Sequence, residues 1–123
     1  MTLLALDFKK LQAISKIGED ILPVVVQHAT TRDVLTLAYT NFVALRQTQE
    51  TGIATFWSTS RNSLWVKGAT SGNYLKLIEI RVNCENNSLL YLVEPQGAGV
   101  CHVIDPTTGV HNPSCFFNKL ASI

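Results

Sequence analysis

Apolar residues along this chain fall into short runs of two different periods. Phe8, Leu11, Ile14 (or Ala13) and Ile17 recur at helical spacing and predict a short amphipathic helix over about residues 7–17, ended near Gly18. Residues 22–27 contain Pro-Val-Val-Val and read as a buried strand. A polar turn over 30–33 and a second apolar run over 34–39 complete a hairpin. Asn41 is placed to cap a helix through about Glu50, with Phe42, Ala44 and Leu45 inside and Gly52 stopping it. Residues 53–57 read as a strand, 58–62 as polar and irregular, and 64–66 as a short strand at most. Residues 67–73 hold two glycines among small and polar residues and read as a loop. The run 74–82 alternates, with Leu75, Leu77 and Glu79 on one face and Lys76, Ile78 and Ile80 on the other, so a long strand partly buried on both faces is expected. A polar turn over 83–88 leads to a strand over 89–93. The remainder, 94–123, reads as a loop-rich tail held by something other than a large core.

Two short helices among about six strands, several in hairpins, predict an α+β fold with a largely antiparallel sheet. With 123 residues and no repeat or linker, residues 1–123 form one domain, long enough for a core of its own. Hydrophobic residues at 46% and charged residues at 15% place the chain among folded rather than disordered sequences. A net charge of +1 gives no global reason to expect a nucleic acid or a membrane surface as partner. No apolar run reaches the roughly 18 residues of a membrane helix. The apolar start, residues 1–6, lacks a basic leader and is too short for a signal peptide, so a cytoplasmic location is the expectation.

Three cysteines, Cys84, Cys101 and Cys115, are separated by sixteen and thirteen intervening residues. An odd number cannot all pair within one chain, and the spacing matches no zinc ribbon or finger. Spacing alone therefore leaves two readings, three unrelated small hydrophobes or a ligand set. Context favours the ligand set: all three sit in or beside predicted turns, Cys84 precedes Glu85, and Cys101 precedes His102. Thiolates are soft ligands that suit zinc, and three protein ligands leave a fourth position for water. A closed site with His102 as fourth ligand is disfavoured, because adjacent residues make awkward co-ligands.

Residues 57–73 combine Arg61 and Lys67 with the hydroxyls of Ser58, Ser60, Thr70 and Ser71. Gly68 and Gly72 would let backbone N–H groups approach an anion closely. The same composition also suits a solvated loop between strands, with Trp57 and Trp65 as scaffold. The order Gly-Lys-Ser/Thr of a phosphate-binding Walker loop is absent.

Taken together, these regions resemble the phosphoribosyl-AMP cyclohydrolase family, over about residues 22–116. The stretches Val-Leu-Thr-Leu-Ala-Tyr-Thr-Asn (34–41) and Glu-Thr-Gly (50–52) are similar to its hairpin and helix segment. Phe-Trp-Ser-Thr-Ser-Arg (56–61) and Leu-Trp-Val-Lys-Gly-Ala-Thr-Ser-Gly (64–72) are similar to its signature loop. Asn-Cys-Glu-Asn-Asn (83–87) stands where the family has Asp-Cys-Asp-x-Asp, and Cys101-His102 and Ser114-Cys115-Phe116 match its last two cysteine motifs.

The resemblance implies zinc bound by Cys84 of one subunit and Cys101 and Cys115 of the other, in an intertwined homodimer whose loop-rich tail is ordered by the metal. It implies a magnesium site at positions 83, 85 and 87. It implies a small nucleotide substrate, phosphoribosyl-AMP of histidine biosynthesis, whose adenine ring is opened by hydrolysis of the N1–C6 bond. On this reading His102 is a general acid/base, and Ser58, Ser60, Arg61, Lys67, Thr70, Ser71 and Gly72 hold phosphate groups. A separate partner is expected to supply the preceding pyrophosphohydrolase step.

Several motif positions depart from the family. Its three aspartates are Asn83, Glu85 and Asn87 here, which weakens a magnesium site. Its histidine after Thr-Ser-Gly is Asn73, which cannot shuttle a proton near neutral pH, and its glutamate between Lys-Gly and Thr-Ser is Ala69. The stretch from Cys101 to Cys115 is longer than usual, and the extra residues around 104–112 bring Asp105 and His111, which either replace a lost carboxylate or histidine or, the favoured reading, belong only to a longer surface loop. The alternatives are an active cyclohydrolase, a paralogue that keeps fold and zinc but acts on another nucleotide, and a zinc-stapled binding module without chemistry.

Overall fold

The computed structural model describes residues 4–120. Residues 1–3, part of the apolar start, and residues 121–123, the end of the tail, lie outside the described residues. In chain order the elements are α1 (Lys10–Ile14), β1 (Leu22–His28), β2 (Val34–Thr40), α2 (Phe42–Thr51), β3 (Thr55–Ser58), β4 (Ser63–Val66), β5 (Leu75–Val82) and β6 (Leu89–Pro95). The expected α+β class and largely antiparallel pairing are both present. No described helix is long and apolar enough to cross a membrane.

Four strands form one sheet in the order β2-β1-β6-β5, and β3 and β4 form a separate hairpin. The two outer pairs of the sheet are antiparallel. The central pair is parallel, with Val24 opposite Leu89 and His28 opposite Val93. A parallel neighbour needs a long crossover. Here everything from β2 to β5 supplies it, and the β3–β4 hairpin lies on one face of the sheet. Phe56 of β3 is fully buried there, its ring 5.8 Å from Tyr91 of β6 and 5.7 Å from Trp65 of β4. Val24, Val26, Leu75, Leu89 and Val93 complete this core. On the opposite face Val25 and Leu37, directly paired, stay 38% and 48% exposed.

Helix α2 begins where Asn41 accepts the Ala44 N–H through its side chain at 2.9 Å, and it ends where Gly52 takes the left-handed conformation at φ 71°. Its buried Thr48 accepts the Thr55 N–H at 3.0 Å and lies 3.0 Å from the Thr55 carbonyl, which clamps the helix to β3. Phe42 does not sit inside: it is 72% exposed, and Ala44 takes the buried position. Consecutive side chains on a helix stand about 100° apart, so Ala44 and the half-buried Leu45 face the core while Phe42 points away from it.

Two further expectations are corrected. The first helix is five residues long, not eleven, and Phe8 and Leu11 are 89% and 68% exposed, leaving Ile14 as its one buried residue. Its N-cap, Lys9, offers no side-chain acceptor, so little holds a longer helix together. In β5 the strict alternation breaks at a bulge between Leu77 and Glu79. The extra residue, Ile78, is exposed, and Ile80 moves to the core face beside Leu75 and Leu77.

Tyr91 is fully buried, and its hydroxyl makes no hydrogen bond, although the Thr40 and Thr48 hydroxyls lie nearby. Burial raises this phenol above its ordinary value of 10.0. The folded chain therefore keeps the proton after the unfolded chain has lost it. The associated stability is intact below about pH 10 and is lost as pH rises through the folded value. Tyr91→Phe is expected to change stability at neutral pH by no more than about 1 kcal/mol and to flatten the alkaline loss. Urea denaturation of both proteins from about pH 8 to 11 checks this; parallel pH curves would remove Tyr91 from the alkaline limb.

Candidate active site

A half-open cavity of ≈ 550 Å³ lies between β2, the β3–β4 hairpin and the C-terminal segment. Trp57, Ser58, Ser60, Arg61, Lys67, His102 and Cys115 line it. The volume falls within the range of small-ligand clefts, about 300–1,000 Å³. Of the residues expected to hold substrate, Ser58, Ser60, Arg61 and Lys67 are brought together here. Thr70, Ser71 and Gly72 are not; they lie on the exposed turn after Gly68, closed by the Gly72 N–H to the Gly68 carbonyl at 2.7 Å.

The rim is built by the short β3–β4 turn. The Arg61 N–H reaches the Ser58 hydroxyl at 3.3 Å, and Trp57 donates its indole N–H to Asn62 at 3.0 Å. Asn62, at φ 49°, donates in turn to the Ile17 carbonyl at 3.4 Å. That last bond ties the N-terminal segment to the rim and brings Lys10 into the cavity lining. Lys10 was not singled out from the sequence, because its neighbours read only as the polar face of an amphipathic helix.

Lys67 behaves differently from the rim cations. It is only 7% exposed, and its ammonium donates to the Val100 carbonyl. The ammonium also lies 5.9 Å from the Trp65 ring centre. Burial lowers its pKa from the ordinary 10.5, and the neighbouring Cys115 and Cys101 oppose that shift. The floor of the cleft therefore pairs one desolvated cation with two thiols.

Cys101 is buried and Cys115 half-buried, and the two thiols are near neighbours. Burial pushes the Cys115 thiol up; the Thr36 hydroxyl and the Lys67 ammonium pull it down, while Cys101 adds to the rise. The backbone around Cys101 is pinned from several sides. The N–H groups of Val100 and Cys101 both donate to the Asn112 carbonyl, at 2.8 and 2.9 Å, and the Cys115 N–H donates to the Leu35 carbonyl at 2.7 Å. His111 sits 2.7 Å from the Cys101 carbonyl through Nδ1.

The longer stretch between these cysteines folds into a small hairpin. Ile104 bridges His111, and the Asp105 N–H donates to the Val110 carbonyl at 2.8 Å. The Asp105 carboxylate accepts the Thr107 N–H within that hairpin and is not a cavity residue. Asn73 likewise plays a packing part: it is 6% exposed and lodged where Gly97 leaves room for its side chain.

Cys84 lies elsewhere. It is exposed in the turn between β5 and β6, whereas Cys115 is bonded to β2. In the order β2-β1-β6-β5 these sites are two to three inter-strand spacings apart and lie toward opposite ends of the strands, so they are separated by at least about 10–14 Å. Zinc–sulfur bonds are only about 2.3 Å long, so one chain cannot close the three-thiol set. Among the described residues, no three His, Cys, Asp or Glu side chains form a metal-ligand group. Cys101 and Cys115 nevertheless fit a soft metal as part of a site: two neighbouring thiols of the ligand type that zinc prefers, with the Lys67 ammonium close by.

The sequence profile of phosphoribosyl-AMP cyclohydrolase matches residues 36–117. The chain belongs to the phosphoribosyl-AMP cyclohydrolase family. It is 47% identical over 100 residues to the phosphoribosyl-AMP cyclohydrolase of Archaeoglobus fulgidus, covering 81% of this chain and 85% of that one. To the enzyme of the same name from Azoarcus sp. it is 46% identical over 99 residues, covering 80% and 70%. A histidine biosynthesis bifunctional protein of Thermotoga maritima is 48% identical over 96 residues, which are 77% of this chain and 45% of that one. All the cavity residues named above except Lys10 lie within the matched span.

Gly99 shows how tightly the cysteine loop is packed. A methyl group there would meet the His111 carbonyl oxygen at 2.1 Å. Gly99→Ala is expected to cost about 1–3 kcal/mol and to loosen the loop around Cys101. Denaturation of the metal-free chain should register the loss, and a thiol-reactive disulfide should label Cys101 faster. Unaltered stability and labelling would mean that the His111 contact yields freely.

Proposed function

We propose that this cleft hydrolyses phosphoribosyl-AMP, opening the adenine ring at the N1–C6 bond as a step of histidine biosynthesis. What carries the reading is one cavity, in a chain of this family, that gathers the Cys115 thiol, with Cys101 close behind it, an imidazole and several cations. Cys101 and Cys115 would hold zinc from one chain and Cys84 of the partner subunit from the other. The separation of Cys84 from the other two thiols within one chain supports a shared site, as do the uncovered Val25 and Leu37. Zinc, when bound, lowers the pKa of water and so supplies a nucleophile at neutral pH.

The remaining work falls to side chains. Arg61 and Lys10 at the rim take the substrate's phosphates, with the Ser58 and Ser60 hydroxyls as further donors. Lys67, committed to the Val100 carbonyl, instead offsets the charge of the thiolate pair. The oxygen of water adds to C6; one of its protons goes to the exocyclic nitrogen, and His102 takes up the other and delivers it to N1 as the N1–C6 bond breaks. C6 becomes a carboxamide carbon, and N1 stays joined to the imidazole through C2 with its ribosyl phosphate intact.

The reading is tested by following the ultraviolet change on ring opening with zinc-loaded protein. Cys101→Ser should abolish turnover, and His102→Ala should lower kcat by about 10²- to 10⁴-fold with little change in zinc content. Arg61→Ala and Lys10→Ala should raise KM by roughly ten- to a hundredfold each. One zinc per subunit in a stable dimer without any turnover would overturn the cyclohydrolase reading in favour of a zinc-stapled binding module.

A further inference from the structure

The turn that carries Cys84 is built on amides where the family resemblance implies magnesium-binding carboxylates. Asn83 Oδ1 accepts the N–H groups of Asn87 at 2.8 Å and Ser88 at 2.9 Å. Asn83 Nδ2 donates to Asn87 Oδ1 at 2.6 Å, and Asn87 Nδ2 donates to Glu85 at 3.4 Å. The backbone closes around them, with the Asn83 N–H on the Ser88 carbonyl and the Asn86 N–H on the Asn83 carbonyl, both at 3.1 Å. Asn86 takes the left-handed conformation at φ 57°.

Charge and donor count decide what such a turn can hold. A carboxylate is an acceptor only, so aspartates at 83 and 87 in this geometry would set oxygen against oxygen. That arrangement needs a cation or a proton between the two side chains. Asparagine removes the need, because each amide brings its own N–H donor to the place where the charge would stand. Magnesium demands hard, charged oxygens in near-octahedral order and sheds its water reluctantly. One exposed Glu85 carboxylate, already accepting from Asn87, with two neutral amides bonded to each other, does not meet that demand.

We infer that in this chain the Asn83–Asn87 amide pair replaces a divalent cation in ordering the Cys84 turn, and that no hard-cation site exists there. The Cys84 thiol is therefore presented to a partner without help from magnesium. This rests on the family reading only for the identity of the cation replaced.

The probe is Mn²⁺ titrated into the full zinc-loaded chain, with free ion counted by electron paramagnetic resonance. The wild type should leave Mn²⁺ free, and its melting temperature should not respond to Mg²⁺ or to its removal. N83D/N87D should bind about one Mn²⁺ per chain, at least roughly tenfold more tightly, and should be stabilised by Mg²⁺. Asn83→Ala, which deletes the amide pair without adding charge, should melt lower than wild type and gain nothing from Mg²⁺. Stoichiometric Mn²⁺ on the wild type that is lost in E85Q would overturn the inference. So would an N83D/N87D protein that folds as well as wild type yet ignores both ions. Neither readout depends on ring opening, so failure of the cyclohydrolase assay and failure of this inference are separate results.

Discussion

Strand β6 lies parallel to β1, and this pairing joins two antiparallel hairpins into one sheet. It also dictates where everything else goes. Because a parallel partner cannot be reached by a tight turn, the chain between the strands must cross over. That crossover carries α2 and the β3–β4 hairpin onto one face, where Phe56 meets Tyr91. The same placement sets Trp57, Arg61 and Lys67 above β2, opposite the segment that follows β6. The cleft is thus a by-product of closing the sheet, and its floor is the seam where hairpin and tail meet.

At that seam a desolvated lysine ammonium lies beside a buried thiol pair, and burial disfavours the charged forms of Lys67 and Cys115 alike. Lys67 recovers part of that cost through the Val100 carbonyl, and its ammonium in turn draws the Cys115 thiol back down. The sequence suggested phosphate binding for this lysine because glycines and hydroxyls flank it. Distance along the chain hid the real neighbours, since Val100 is 33 residues away.

How much was legible depended on whether the signal was local. Asn41 and Gly52 marked the ends of α2, and alternation marked the strands, because capping and pleating act within a few residues. The β5 bulge was invisible, since only pairing with β6 reveals the extra residue. The exposure of Phe8 and Leu11 was equally hidden, because a helical period states which residues share a face and not whether anything covers it. Among site residues, the gathering of Arg61, His102 and Cys115 was anticipated through family likeness. Lys10 was not, because a bond between Asn62 and Ile17, 45 residues apart, delivers it.

The tail's attachment to β2 has a meaning beyond the cleft. As the first strand in the order, β2 has one edge without a strand partner among the described residues, and such edges invite pairing with other chains. The Cys115 N–H and the Ser114 hydroxyl occupy the carbonyls of Leu35 and Val34 at the start of that strand. The residues beside Cys115 therefore also cover the start of that edge. A chain that let go of Cys115 would free those two carbonyls for pairing with another strand.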